Sequence, residues 1–231
     1  MIAVIAFDAD DTLWHNEPLF LDTKSRFQRL LVSYHSPEWI EERLHDTQVA
    51  NLRHFGYGIK SFTLSMIETA IELTEGRVKG HEIQQLVDFA KEMVRAPLRL
   101  VDGAEATVRA LANTHRLILV TKGDLFDQES KVARSGLGDL FTDVEVVSEK
   151  TRTTYEAIVA KHGVEPGGFL MIGDSLRSDI LPVLEIGGHA IHVPYETPWR
   201  HEEVPADVMS RYSFQRAGHL GEVPGLVAAL E

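Results

Sequence analysis

Residues 3–14 read AVIAFDADDTLW: an apolar run from Ala3 to Phe7 stops abruptly in Asp8, Asp10 and Asp11, and Thr12 follows. A short run with β-branched residues and no polar alternation predicts a strand buried on both faces. Carboxylates gathered at the end of such a strand repel one another, and the usual neutraliser is a divalent cation held by oxygen ligands. Ligands of open α/β sheets bind outside the carboxyl ends of the strands, so chemistry is expected at this acidic cluster.

The chain then changes style twice. From about Asn16 to Ala96 no convincing strand is read and helical periodicity dominates: Phe20, Phe27 and Leu31; Trp39, Ile40 and Leu44; Met66, Ile67 and Ile71; Ile83, Leu86, Val87, Ala90 and Val94. Breaks at Ser36-Pro37, at Phe55-Gly56-Tyr57-Gly58 and at Glu75-Gly76 divide this stretch into four or five helices. From Leu98 onward, short apolar runs alternate with amphipathic ones. The pattern predicts strands at 116–120, 144–147, 169–172 and 190–193, and helices at 104–112, 125–136, 152–162, 177–186 and 222–230. Repeated strand–helix–strand units imply a parallel sheet with right-handed crossovers. The expected organisation is an α/β core from residues 1–15 and 97–231, with a helical bundle, 16–96, inserted after the first strand. The Pro- and charge-rich stretch Glu196–Asp207 is read as a surface loop.

Composition narrows the chemistry. There is no cysteine, which removes disulfides, thiolate metal sites and cysteine nucleophiles. A net charge of −12 argues against a nucleic-acid polymer as partner, but a metal and a few lysines can invert the field locally for a small phosphorylated ligand. No apolar stretch is long enough for a membrane span, and the start of the chain lacks the features of a signal peptide. A cytoplasmic protein is therefore expected; the oligomeric state is not readable.

Four predicted strand ends carry unusual polar groups. They are Asp8, Asp10 and Thr12; Thr121, Lys122 and Gly123; Lys150; and Gly173-Asp174, with Asp179 five residues on. A parallel sheet brings all four to one edge. Phosphoryl transfer uses such a set: a carboxylate nucleophile, a second carboxylate to protonate the leaving oxygen, oxygen ligands for Mg²⁺, and a hydroxyl and a lysine for the phosphate oxygens. In order along the chain, these motifs resemble those of the haloacid dehalogenase superfamily, specifically its phosphatases with a C1-type helical cap inserted after strand one. The resemblance spans about residues 1–14 and 98–195, and the cap matches by position and helical character only.

The resemblance implies a Rossmann-like α/β core with a cap, acting on a small phosphorylated metabolite with Mg²⁺. Asp8 matches the nucleophile and Asp10 the general acid and later base. The Asp8 carboxylate, the Asp10 backbone carbonyl and Asp174 match the metal ligands, with Asp179 behind them. Thr121 and Lys150 match the phosphate binders, assisted near Asp11, Thr12 and Gly123. Lys122 stands where many relatives carry Asn, and it either adds positive charge at the site or faces solvent. Phe55, Tyr57 and Lys60, around the aromatic–glycine break, are the candidates for reading the leaving group; an ordinary interhelix turn explains them equally well.

Plainer readings exist for each piece alone. Asp8 to Thr12 could be an acidic turn or helix cap, and Asp179 could favour a helix dipole. Gly173-Asp174-Ser175-Leu176 spells a serine-esterase signature, but it is not at the first strand and no Asp-x-x-His follows; Ser175 is read as a cap. His189 and His192 are read as structural. The rival activities are 2-haloacid dehalogenation, against which Asp10 and Asp174 argue, and phosphomutase chemistry. The non-enzyme rivals are a receiver-like or phosphate-binding protein, and binding alone does not need both Asp8 and Asp10.

Overall fold

The computed structural model describes residues 1–231. β1 (Val4–Phe7) is buried along its whole length and lies in the middle of the sheet. It pairs in parallel with β2 (Arg116–Lys122) on one side and β4 (Phe169–Gly173) on the other. β3 (Asp143–Val147) flanks β2, β5 (His189–His192) flanks β4, and the two-residue β6 (Gln215–Arg216) closes that side. The order β3-β2-β1-β4-β5-β6 is parallel throughout, so every strand delivers its carboxyl end to the same edge. This is the α/β fold expected from the alternation of strands and helices.

Both faces of β1 are covered, which is why its sequence shows no polar alternation. Ile5 and Phe7 pack with Ala104, Val108 and Leu111 of α5 (Ala104–Ala112) and with Val223 and Val227 of α10 (Val223–Leu230). Val4 and Ala6 face the other way, towards Tyr155, Ile158 and Val159 of α7 (Arg152–Lys161) and Val183 of α8 (Leu181–Glu185).

Beyond β4, the expected helix 177–186 is split. Leu176–Ile180 forms a wide, π-type turn and α8 begins only at Leu181. Pro182 supplies the reason. It has no N–H to give to the Ser178 carbonyl, so the helical ladder cannot run through this point. That carbonyl instead accepts a hydrogen bond from the Tyr155 hydroxyl at 3.1 Å. The stretch read as a loop, 196–207, contains a turn of 3₁₀ helix at Arg200–Glu202 and the start of a short helix, α9 (Ala206–Met209).

The helical stretch consists of α1 (Glu17–Leu31), α2 (Pro37–Phe55), α3 (Ile59–Leu73) and α4 (Gly80–Arg95). Ser36 caps α2 by accepting from the Trp39 amide at 3.3 Å, and Pro37 takes the first helical position, where no N–H is needed. Gly56 and Gly58 adopt φ values of 67° and 103° between α2 and α3, backbone that other residues rarely adopt. The four helices have their own core, with Phe27, Leu31, Ile40, Met66 and Leu86 at no measurable exposure. The chain forms two compact units. One holds Met1–Glu17, Leu98–Lys122 and Gln128–Glu231; the other holds Pro18–Pro97 together with the short segment Gly123–Asp127. No helix is long and apolar enough to cross a membrane.

Candidate active site

β1 ends at Phe7, and the chain then turns tightly. Asp11 has φ 64°, its amide donates to the Trp14 carbonyl at 2.7 Å, and the Leu13 amide donates to the Ala9 carbonyl at 2.8 Å. This loop breaks the strand's alternation and lets Asp8 and Asp10 both serve the sheet edge with different partners.

Asp8 meets Lys150. The Lys150 ammonium donates to Asp8 Oδ1 and, at 2.6 Å, to Asp179 Oδ1. Its side chain is 1% exposed, as is that of Asp179. Asp179 Oδ2 accepts from the Ser175 amide at 3.0 Å. Asp174 is tied to the first loop: Thr12 Oγ1 donates to its Oδ1 at 3.2 Å and accepts from its amide at 3.1 Å. Its carbonyl accepts from His192 Nε2 at 2.8 Å, so the histidine read as structural supports the acidic loop.

The oxygens of Asp8, Asp174 and Asp179 lie within 4.8 Å of one another. Three carboxylates beside one ammonium leave a formal charge of −2 in a buried volume. Burial pushes Asp8 up and, together with the charges of Asp8 and Asp179, holds Asp174 well above the ordinary carboxylate range. Burial works to lower Lys150, but Asp179 and Asp8 outweigh it and hold its ammonium above the usual lysine range. A hard divalent cation fits this donor set and cancels the residual charge.

Asp10 lies outside that balance because it has its own lysine. Its carboxylate accepts from Trp14 Nε1 at 2.7 Å, from Gln128 Nε2 at 2.9 Å, and from Lys131 Nζ at 2.9 and 3.0 Å. Gln128 and Lys131 come from α6 (Leu125–Ser135) and were not singled out from the sequence. In sequence they read as an ordinary solvated helix face, and only the structure shows which side of α6 is buried. Leu125 and Phe126 are 58% and 69% exposed, whereas Gln128 and Lys131 are 2% and 6% exposed.

Other expected residues take up different partners. The Asp11 carboxylate accepts from the amides of Asn16 and Glu17 at the start of α1, and burial pushes it up to about 7 against those bonds. Thr121 is buried at the end of β2, and its hydroxyl makes only a long contact, 3.4 Å, to the Lys122 carbonyl. Lys122 turns neither to solvent nor to Asp8. Its ammonium donates to Ser178 Oγ at 2.8 Å and to Glu202 Oε1 at 2.7 Å. Ser175 caps the π-type turn, as expected of a cap, by accepting from the Ser178 amide at 3.0 Å; Glu202 then accepts from the hydroxyls of both serines. Burial would raise Glu202, but Lys122 and the two hydroxyls outweigh it and hold the acid down at about 2.

Gly123 opens the segment that groups with the helical unit. Within that unit Phe55 is half exposed at the end of α2, Tyr57 lies in the break, and Lys60 donates to both Asp124 oxygens at 2.9 Å. A second acidic group, Asp143, Glu145 and His162, is engaged by neighbouring cations, with Arg116 against His162 Nδ1. Lys161 reaches Glu145 at 2.6 Å and Asp143 at 3.1 Å, and His162 Nε2 lies 2.8 Å from Glu145.

A parallel sheet whose carboxyl edge gathers strand-end carboxylates, a buried lysine and an acidic loop defines a class, the enzymes built on a Rossmann-like α/β core. A family model for haloacid dehalogenase-like hydrolase matches residues 2–187, and the chain belongs to that family. It is 25% identical over 204 residues to N-acylneuraminate-9-phosphatase of Mus musculus, covering 80% of this chain and 79% of that one. It is 24% identical over 234 residues to 5-amino-6-(5-phospho-D-ribitylamino)uracil phosphatase YigB of Escherichia coli K12, covering 95% and 91%. A crystal structure of a haloacid dehalogenase-like hydrolase from Xanthomonas campestris superposes with a TM-score of 0.88 at 39% identity, over 99% of this chain and 91% of that one.

Two outcomes check this geometry. A Cβ on Gly173 would lie 2.6 Å from the Asp179 Cβ, while the Asp179 carboxylate is held from two sides. Gly173→Ala should therefore lose about 1–3 kcal/mol of stability in urea unfolding, and an unchanged midpoint and slope would contradict the packing. Glu202 has a lowered pKa in the folded protein, so its contribution is full above the unfolded value and fades as pH falls towards about 2. Glu202→Gln should lower Tm at pH 7 by an amount that shrinks below about pH 4.5; a gap independent of pH would show that the Lys122–Glu202 charge pair is not its source.

Proposed function

We propose that this chain is a Mg²⁺-dependent phosphatase that hydrolyses a small phosphomonoester through an aspartyl-phosphate on Asp8. The observation that carries the reading is the buried Asp8–Lys150–Asp179 chain beside Asp174, with Asp10 held separately two residues on. The names of the mouse and E. coli relatives, both phosphatases, support the same reading.

Lys150 holds Asp8 Oδ1, which keeps the nucleophile ionised and oriented and leaves Oδ2 to attack phosphorus. As the new O–P bond forms, the bond to the leaving oxygen breaks and Asp10 gives that oxygen its proton. In the second half Asp10 takes a proton from water, the water oxygen attacks phosphorus, and the Asp8–phosphorus bond breaks to release inorganic phosphate. Thr121 Oγ1 and a remaining N–H of Lys150 are the donors for the phosphoryl oxygens. Asp8, the Asp10 carbonyl and Asp174 would hold Mg²⁺, whose charge would stabilise the phosphoryl oxygens, with Asp179 fixing Lys150 behind them.

Dehalogenation is the less economical use of this site, because it needs neither a leaving-group acid nor a metal. Phe55, Tyr57 and Lys60 are proposed to set preference among substrates, so their replacement should alter KM between substrates more than kcat.

Phosphate release from a panel of sugar phosphates, sugar-acid phosphates, ribityl phosphates and nucleotides tests the proposal, with Mg²⁺ and with EDTA. Release should require the metal and fall below detection in Asp8→Asn. Asp10→Asn should lose about 10²-fold or more on substrates with poor leaving groups. Substantial turnover by Asp8→Asn would overturn the mechanism, and transfer of phosphate between positions of one sugar, without release, would identify a mutase.

A further inference from the structure

The inverted face of α6 turns Gln128 and Lys131 inward, onto Asp10. Lys131 is a buried lysine, and an ammonium taken out of water is costly unless it is paired and fully hydrogen-bonded. It contacts both oxygens of Asp10 and also Asn16 Oδ1, at 2.9 Å. Gln128 is equally committed. Its amide nitrogen bridges Asp10 Oδ2 and the Lys122 carbonyl at 3.0 Å, while its own Oε1 is buried with no hydrogen-bond partner. Its N–H groups tie the Asp10 carboxylate to the end of β2.

We propose that Lys131 and Gln128 are positioning residues for Asp10, fixing its carboxylate so that it meets the leaving oxygen in one orientation. This rests on the phosphatase reading, in which Asp10 is the acid. Trp14 Nε1 completes the cradle from the loop that carries Asp10 itself. Asn16 Oδ1 gives Lys131 a second acceptor and so helps fix the ammonium in place. Neither residue touches substrate in this account; both act through Asp10.

A series of aryl phosphates of similar size, from p-nitrophenyl to phenyl phosphate, isolates this role. Proton donation matters little for an acidic leaving group and greatly for a basic one, so a residue that acts through Asp10 changes the slope of kcat/KM against leaving-group acidity. Lys131→Met and Gln128→Ala, checked for folding by thermal melts, should each lose about tenfold more on phenyl phosphate than on p-nitrophenyl phosphate. Gln128→Ala keeps the Lys131–Asp10 pair and so serves if Lys131→Met fails to fold. Lys131→Arg should restore part of the slope. Equal losses across the series would make the two residues structural only, and gains would mean that they restrain Asp10 from acting; either result overturns the proposal. Asp10→Asn is run alongside. If its slope steepens and those of the α6 variants do not, the positioning role alone falls. If Asp10→Asn is itself flat, the assignment of Asp10 as acid falls with it.

Discussion

The acidic centre of the sheet edge depends on one buried ammonium. Lys150 sits between Asp8 and Asp179 with almost no exposure, and those two carboxylates are its only side-chain hydrogen-bond partners. Replacing such a lysine by an apolar residue would leave three buried carboxylates facing one another, a more costly state than losing one surface ion pair. Asp179 in turn lies so close to Gly173 that no side chain fits there, and its second oxygen holds the Ser175 amide. The acidic loop, the end of β4 and the end of β1 are thus fixed through a single charge.

The site separates two kinds of carboxylate. Asp8 and Asp179 share one lysine beside Asp174, and the three remain short of positive charge, which suits a divalent cation. Asp10, two residues from Asp8, has a lysine, a glutamine and an indole N–H of its own. The tight turn at Asp11, with its left-handed backbone, makes the division: it lets neighbouring carboxylates in sequence meet different environments in space.

The parts that were legible in the sequence were those where burial and polarity collide. The run ending at Asp8, the run ending at Thr121 and Lys122, and the Gly173-Asp174 step each announce a strand end, and the breaks at Ser36-Pro37 and Phe55–Gly58 mark where helices stop. What escaped was polar residues buried on helices and loops. Gln128 and Lys131 look like an ordinary solvated helix face, and only the exposure of Leu125 and Phe126 reveals that the helix is turned the other way. Glu202 reaches Lys122 across 80 residues from a stretch with no regular pattern, so the partner of Lys122 could not be read in advance. The split of helix 177–186 was written in Pro182, whose effect depends on Tyr155 being present to take the freed carbonyl. β6, at two residues, is too short to leave a periodic trace.

The central claim is that phosphorus passes through Asp8. Rapid quench of the enzyme during turnover, reduction with borohydride and mass analysis of the peptide containing residues 3–14 tests it directly, because an acyl phosphate is reduced to an alcohol and a free carboxylate is not. The account predicts homoserine at position 8 and unmodified aspartate at positions 10 and 11. Steady phosphate release with aspartate intact at position 8 under the same quench would contradict it.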